Sequence, residues 1–227
     1  MRVEPYAVGS FVHIVKRGAR GMPITGDDFD RTRFLQLLYY MNEEYFDESW
    51  EEDVRNKSPG YRPEHWPARV SLVSILAYTL MPNHFHLLVQ ENNEGGMSTF
   101  MQKIGQSMTN HFNLKYDSSG SIFQGSYRSR TIDSDTYLQY VAAYIMVKNV
   151  FELFPHGGIM SGVRDFKTVW MWALAYPFSN LGSYALGHEN NIIDGNAARD
   201  ILHSRENFKR FAKEVIEGGK WAEVEFE

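Results

Sequence analysis

The chain has 227 residues, 43% of them hydrophobic and 15% aromatic, enough to bury a core as one domain with an appendage or as two small domains, which excludes a disordered chain. It has no cysteine, so a disulfide framework and a thiolate metal site are both excluded, and any metal must be held by His, Asp, Glu, Asn or Gln. The net charge of −5 argues mildly against a nucleic-acid binder only as an average, because the charge is segregated along the chain.

Acidic residues crowd 43–53 and recur at Glu214, Glu217, Glu223, Glu225 and Glu227. Basic residues cluster at Lys16, Arg17 and Arg20, and return at Lys103, Lys115, Arg128, Arg130 and Lys148, so a basic face beside acidic appendages is possible. The N-terminus lacks the apolar core of a signal peptide, and no run approaches the roughly 20 apolar residues of a membrane span. A soluble, cytoplasmic protein with no membrane partner is the expectation.

In chain order, residues 8–18 alternate as a strand, with Phe11, His13 and Val15 on one face and Val12, Ile14 and Lys16 on the other. His13 reads as a strand residue beside a site or a satisfied core histidine rather than a ligand. Thr25-Gly26-Asp27-Asp28 starts a helix, with Thr25 a hydroxyl cap candidate and acidic residues in the first turn. Its core stripe is Phe34, Leu37, Leu38, Met41 and Tyr45. Charge, Gly60, Pro63 and Pro67 then break the pattern over 43–67, an inserted excursion rather than a domain.

Residues 70–80 form a buried strand that turns at Met81-Pro82-Asn83 into a second strand carrying His84-Phe85-His86. Successive strand side chains point to opposite faces, so His84 and His86 share one face while Phe85, Leu87 and Val89 share the other. That is how a strand offers two nitrogen ligands to one divalent metal, although a lone His-x-His is common and weak by itself. A helix over 98–116 follows, with Phe100, Ile104, Met108 and Phe112 spaced by four. Beyond a small-residue loop, Phe123, Gln124, Tyr127, Arg128 and Arg130 interleave aromatic and cationic groups, a combination that stacks on bases and neutralises phosphates, or else forms an ordinary edge strand.

Asp133-Ser134-Asp135 caps a further helix, 136–149, whose stripe is Tyr137, Tyr140, Val141, Tyr144 and Lys148. Helical tyrosines are usually core residues, but one presented to a metal-activated phosphodiester is a nucleophile. Helical geometry does not choose among the three. After Pro155-His156-Gly157-Gly158 a packing segment, 170–182, leads to a last helix over 204–218 that docks on the core or binds DNA flanks. Strand, helix, hairpin, helix, strand, helix is the order of an α+β, ferredoxin-like sandwich: one antiparallel sheet with helices on one side, here with a partly helical C-terminal extension.

Three ordered segments carry a further signal: residues 81–89, residues 120–129, and Asp135-Thr136-Tyr137-Leu138 with Tyr144-Ile145-Met146-Val147-Lys148-Asn149-Val150. Together they resemble the REP-associated tyrosine transposases, of the single-tyrosine HUH superfamily, over roughly residues 8–155, with fainter similarity through Trp172 to Tyr184. The resemblance implies an HUH domain over 1–155, a C-terminal extension over 156–227, and a metal-dependent endonuclease and strand transferase acting on single-stranded or hairpin DNA, as a monomer or homodimer. It makes His84 and His86 the ligands of Mg²⁺ or Mn²⁺, and Tyr144 the catalytic nucleophile that forms a 5′-phosphotyrosine link and frees a 3′-hydroxyl. The expected DNA contacts are Lys16, Arg17, Arg20, Lys103, Phe123, Gln124, Tyr127, Arg128, Arg130 and Lys148.

One departure from the family matters, beside Asn149-Val150 standing where the family usually has Asn-Pro. Where an amide able to complete the metal shell often stands, one turn after the tyrosine, this chain has Lys148, with Asn149 one residue further on. Either Asn149 reaches the metal through a shift of register, or water fills the shell and Lys148 contacts phosphate. Two other readings stay open: an inactive relative that only binds structured single-stranded DNA, and an unrelated hydrolase using His84, His86 and a carboxylate.

Overall fold

The computed structural model describes residues 6–219 and Trp221, so the acidic Glu223, Glu225 and Glu227 lie outside the described residues. Four strands form one antiparallel sheet in the order β2-β3-β1-β4, with β1 at Phe11–Arg17, β2 at Val73–Leu80, β3 at His84–Glu91 and β4 at Arg128–Ile132. This is the α+β, ferredoxin-like order: the two strands nearest in sequence, β2 and β3, make a hairpin, and β1 lies between β3 and β4.

Strand alternation gives the sheet two faces with different tasks. Val12, Ile14, Phe85, Leu87 and Val89 meet α1 (Asp28–Tyr40) and α3 (Gly96–Lys115) in one core. The helix layer expected on one side is therefore present. The opposite face carries Leu88 and the histidines, and it is covered as well, by α4 (Asp135–Ala143) and its continuation. A two-faced sheet leaves apolar surface on both sides, and the chain beyond α3 supplies the second cover. In β2 a bulge between Ile75 and Ala77 turns both Leu76 and Ala77 towards this second core.

Local chemistry sets the helix ends. Asp27, not Thr25, caps α1, its carboxylate accepting from the Asp30 N–H at 3.0 Å. Ser134 caps α4 as the sequence predicts, accepting from the Tyr137 N–H. Residues 43–67 are more than an excursion: Trp50, on the short α2 (Trp50–Asp53), and Trp66 pack on Tyr40, and fully buried Glu43 pairs with Arg62 at 2.9 Å.

Beyond α4 come a π-helical turn at Tyr144–Lys148, α5 (Asn149–Glu152), α6 (Gly158–Arg164), α7 (Phe166–Leu174), α8 (Leu181–Leu186), α9 (Gly195–Ile201) and α10 (Arg205–Gly218). Phe208, Ala212 and Val215 of α10 share the core of Val141, Ile145 and Trp170, so the last helix docks on the body. Segment 178–180 lines the outer edge of β2, through Leu80 N–H to Phe178 O and Asn180 N–H to Tyr78 O, which covers an otherwise open strand edge. Among the described residues no helix is long and apolar enough to cross a membrane.

Candidate active site

β3 places His84 and His86 on the face covered by α4, one residue apart in the pleat, with ring centroids 4.9 Å apart. Beside them on β1 stands His13, whose Nε2 lies 3.0 Å from His86 Nδ1. His13 is thus a neighbour of the pair that braces His86, as a strand residue beside the site should be.

The tautomer of His84 follows from its surroundings. The Asn83 amide donates from Nδ2 to Gly21 O at 3.2 Å, which turns its Oδ1 to His84 Nδ1 at 2.6 Å, so Nδ1 carries the proton and donates. The lone pair of this ring then belongs to Nε2. His86 is engaged at Nδ1 by His13 Nε2, with the donor set by the tautomers of the two rings. A metal-binding imidazole holds its other nitrogen in such a bond, which fixes ring and tautomer together.

The three tyrosines of the α4 stripe part company in space. The Arg130 guanidinium lies 4.7 Å from the Tyr137 ring centroid, and Tyr140 packs on Phe211 of α10 at 4.9 Å. Tyr144 alone meets the histidines, with edge contacts to His86 at 5.6 Å and His13 at 5.8 Å, and it is 1% exposed. Thr79 of β2 ties this region to the sheet, donating from Oγ1 to Ile145 O at 2.6 Å.

The helix changes type where the nucleophile candidate stands. The Asn149 N–H bonds Tyr144 O, five residues back, instead of Ile145 O. That π turn inserts one residue, so Asn149 follows Tyr144 by one helical turn, while Lys148 also stays beside it. Lys148 Nζ is 3.4 Å from the Tyr144 hydroxyl and 4.6 Å from the ring centroid, and Glu152 holds the ammonium at 2.8 Å. Asn149 is buried, and its Nδ2 has no hydrogen-bond partner among the described residues.

These groups bear on the metal expected from the sequence. Among the described residues no three His, Cys, Asp or Glu side chains converge as a metal site. Two imidazoles with their Nδ1 atoms engaged do fit a divalent cation as a partial shell, which an amide, water and phosphate oxygens could fill.

The expected DNA contacts divide. Arg128 and Arg130 are exposed on β4 and lie on the histidine face, Arg128 level with Val15 and Arg130 level with His13. Arg17 is level with His84 at the end of β1, and Arg20 is exposed in the following turn. Exposed Gln124 is tied by its N–H to Arg17 O. The other candidates are placed elsewhere. Lys16 faces α3, where Gly105 leaves room for its stem and its Nζ donates to Gly125 O, so it anchors a loop. Lys103 donates to Glu43 O on the same far side. Phe123 is 4% exposed and packs on Phe85, so it is core and not a stacking platform, and Tyr127 is half-buried against that core. The strand pattern could have flagged Lys16, since it shares a face with Val12 and Ile14. Thr79 carried no sequence signal beyond its type, because its partner lies on another element.

Residues 68–148 match the family model described as IS200-like transposase. That segment contains β2, β3, α3, β4, α4 and the π turn, hence both histidines and Tyr144, and the match bears out the resemblance read from the three motifs. It supports a transposase, and so a DNA-cleaving enzyme. Among solved structures, a REP-associated tyrosine transposase bound to a REP hairpin aligns at 16% identity over 86% of this chain and 90% of that chain, with a TM-score of 0.46, too distant a likeness to argue from. No curated protein matches the chain.

Proposed function

We propose that the protein is a tyrosine-dependent DNA endonuclease and strand transferase of the transposase kind, acting on single-stranded or hairpin DNA, with Tyr144 as nucleophile. The observation that carries this reading is the contact of Tyr144, and of neither other α4 tyrosine, with His86 and its brace His13.

In the proposed reaction the Tyr144 oxygen forms a bond to phosphorus and the bond from phosphorus to the 3′ oxygen breaks. The phenol proton leaves to solvent, the departing oxygen takes one up, and a 5′-phosphotyrosine and a 3′-hydroxyl remain. A phenolate is a good enough leaving group for the reverse step, so ends can be rejoined. Lys148 Nζ lies beside the phenol oxygen, where an ammonium would favour the charge that develops there in either direction. Arg128 and Arg130, exposed on the same face, suit phosphates flanking the reacting one. A divalent cation, Mg²⁺ or Mn²⁺, held by His84 and His86 with Asn149 or water completing its shell, would neutralise the non-bridging phosphate oxygens.

Incubating the protein with labelled hairpin and single-stranded oligonucleotides and Mg²⁺ or Mn²⁺ on a denaturing gel tests the reading. The expected result is a slow-migrating covalent adduct in the wild type and none in Tyr144→Phe. Cleavage without adduct, equal in both proteins, would point to a water-using hydrolase instead. A binding-only relative is the second reading, favoured by the nearly complete burial of Tyr144 and by Lys148 at the amide position. DNA binding without cleavage on every target would select it.

A further inference from the structure

At the edge of β2 a second feature is independent of this chemistry. Between the end of α1, the Arg69 loop and the segment from α8 to the first turn of α10 lies an open cleft of about 1160 Å³. Its floor includes Tyr39 and Tyr184, and three arginines line it: Arg69, Arg199 and Arg205.

The three arginines bring positive charge together in an acidic chain. Several other cations of the chain meet carboxylates, as in Arg33–Glu51, Arg62–Glu43, Lys115–Asp30 and Lys148–Glu152. Among the described residues none of the three cleft arginines pairs with one, although Glu189 and Glu206 line the same space. Arg69 lies on the Tyr39 ring at 4.2 Å and reaches the backbone carbonyls of Tyr39 and Asn42 at 3.3 and 3.4 Å, and its buried Nε has no partner among the described residues. Burial pulls its pKa down, and the charges of Glu43 and Asp194 offset that only in part. Arg205 rests against Gly187, whose φ of +74° and missing side chain make the room, since a Cβ there would collide with the guanidinium. The amides nearby are already engaged, Asn190 with Tyr78 and Ser183, and Asn191 with Gly60 O.

We infer that this cleft is a second binding site, for the phosphates of a nucleotide, either free or within a DNA strand. Guanidinium forks are matched to phosphate oxygens, and the volume suits one or two nucleotides. Tyr184 stands at hand for a base or sugar.

Calorimetric titration of the full-length protein with ATP, and separately with an unstructured 12-nucleotide DNA, at low ionic strength tests this without needing the tyrosine reaction. Both titrations are run on the Tyr144→Phe protein too, which keeps failure of the transposase reading separate. The expected result is saturable binding that weakens at least tenfold in Arg69→Gln/Arg205→Gln and tightens in Glu189→Gln/Glu206→Gln, a reversal of sign that lost packing would not produce. Response of ATP alone identifies a free nucleotide as the source, and response of the oligonucleotide alone identifies a strand. Should the arginine pair fail to fold, exposed Arg199→Gln and the glutamate pair give the same reading. Absence of saturable binding by both ligands, or affinities unchanged across folded variants, overturns the inference.

Discussion

A lysine ammonium 3.4 Å from a phenol oxygen and 2.8 Å from a glutamate does different work at its two ends. Glu152 is 38% exposed and keeps water when its partner goes, so Lys148→Met should lower stability by no more than about 1 kcal/mol in urea unfolding. The Tyr144 end should respond far more. Losing one preorganised charge at a reacting oxygen typically costs about 10²-fold in rate, the expected slowing of adduct formation in a single-turnover assay. In the proposed site His13 would act at one remove from the reacting atoms, by holding Nδ1 of His86. In His13→Gln, Mn²⁺ affinity measured by titration should fall about 10- to 100-fold, the usual effect of losing a partner behind a metal-binding imidazole, while the fold persists.

Between elements, the joint of α1 and α3 is a carboxylate with four donors. Asp30 is buried and accepts from Gly26 N–H, Lys115 Nζ, His111 Nε2 and Tyr116 Oη. Burial alone would raise its pKa, but the bonds from Lys115, Gly26, His111 and Tyr116 outweigh that and hold it well below the usual carboxylate range. A group depressed in the folded state stabilises the protein above its unfolded pKa and loses that contribution as pH falls towards the folded one. Asp30→Asn should therefore cost about 3 kcal/mol near neutral pH, as broken buried ion pairs do. It should also lose less stability than the wild type between pH 5 and pH 2, read from urea midpoints across that range. The π turn is the other joint that matters: Thr79 takes up Ile145 O where Asn149 has turned to Tyr144 O, so a strand hydroxyl supports the one-residue shift at the nucleophile candidate.

For the whole molecule, a net charge of −5 with DNA as the proposed partner means that association rests on a local patch and not on the average field. A patch of few arginines predicts a shallow salt dependence. With about four phosphates contacted on a single strand, affinity should fall roughly 50-fold between 50 and 200 mM salt, and Arg128→Ala/Arg130→Ala should reduce the log–log slope by about 1.5. Anisotropy titrations over that range measure both. An unchanged slope in the double variant would move the interface off β4.

The sequence by itself determined what repeats along the chain or sits within a few residues. The period-two alternation placed His84 and His86 on one face with Phe85 opposite, the hairpin and the strand–helix order specified the α+β sheet, and three short motifs carried the transposase resemblance. Only tertiary structure decided the rest, because it depends on which distant element comes to lie alongside. Seven residues separate Tyr137 from Tyr144 on nearly the same helical face, yet one meets Arg130 and the other the histidines, according to where the helix crosses the sheet. Lys16 and Phe123 read as a cation and an aromatic ready for DNA, but they lie 107 positions apart and turn to each other inside the α3 layer. The register shift that brings Asn149 one turn after Tyr144 is likewise invisible to helical spacing, since a π turn is held by its surroundings and not by the residues that form it.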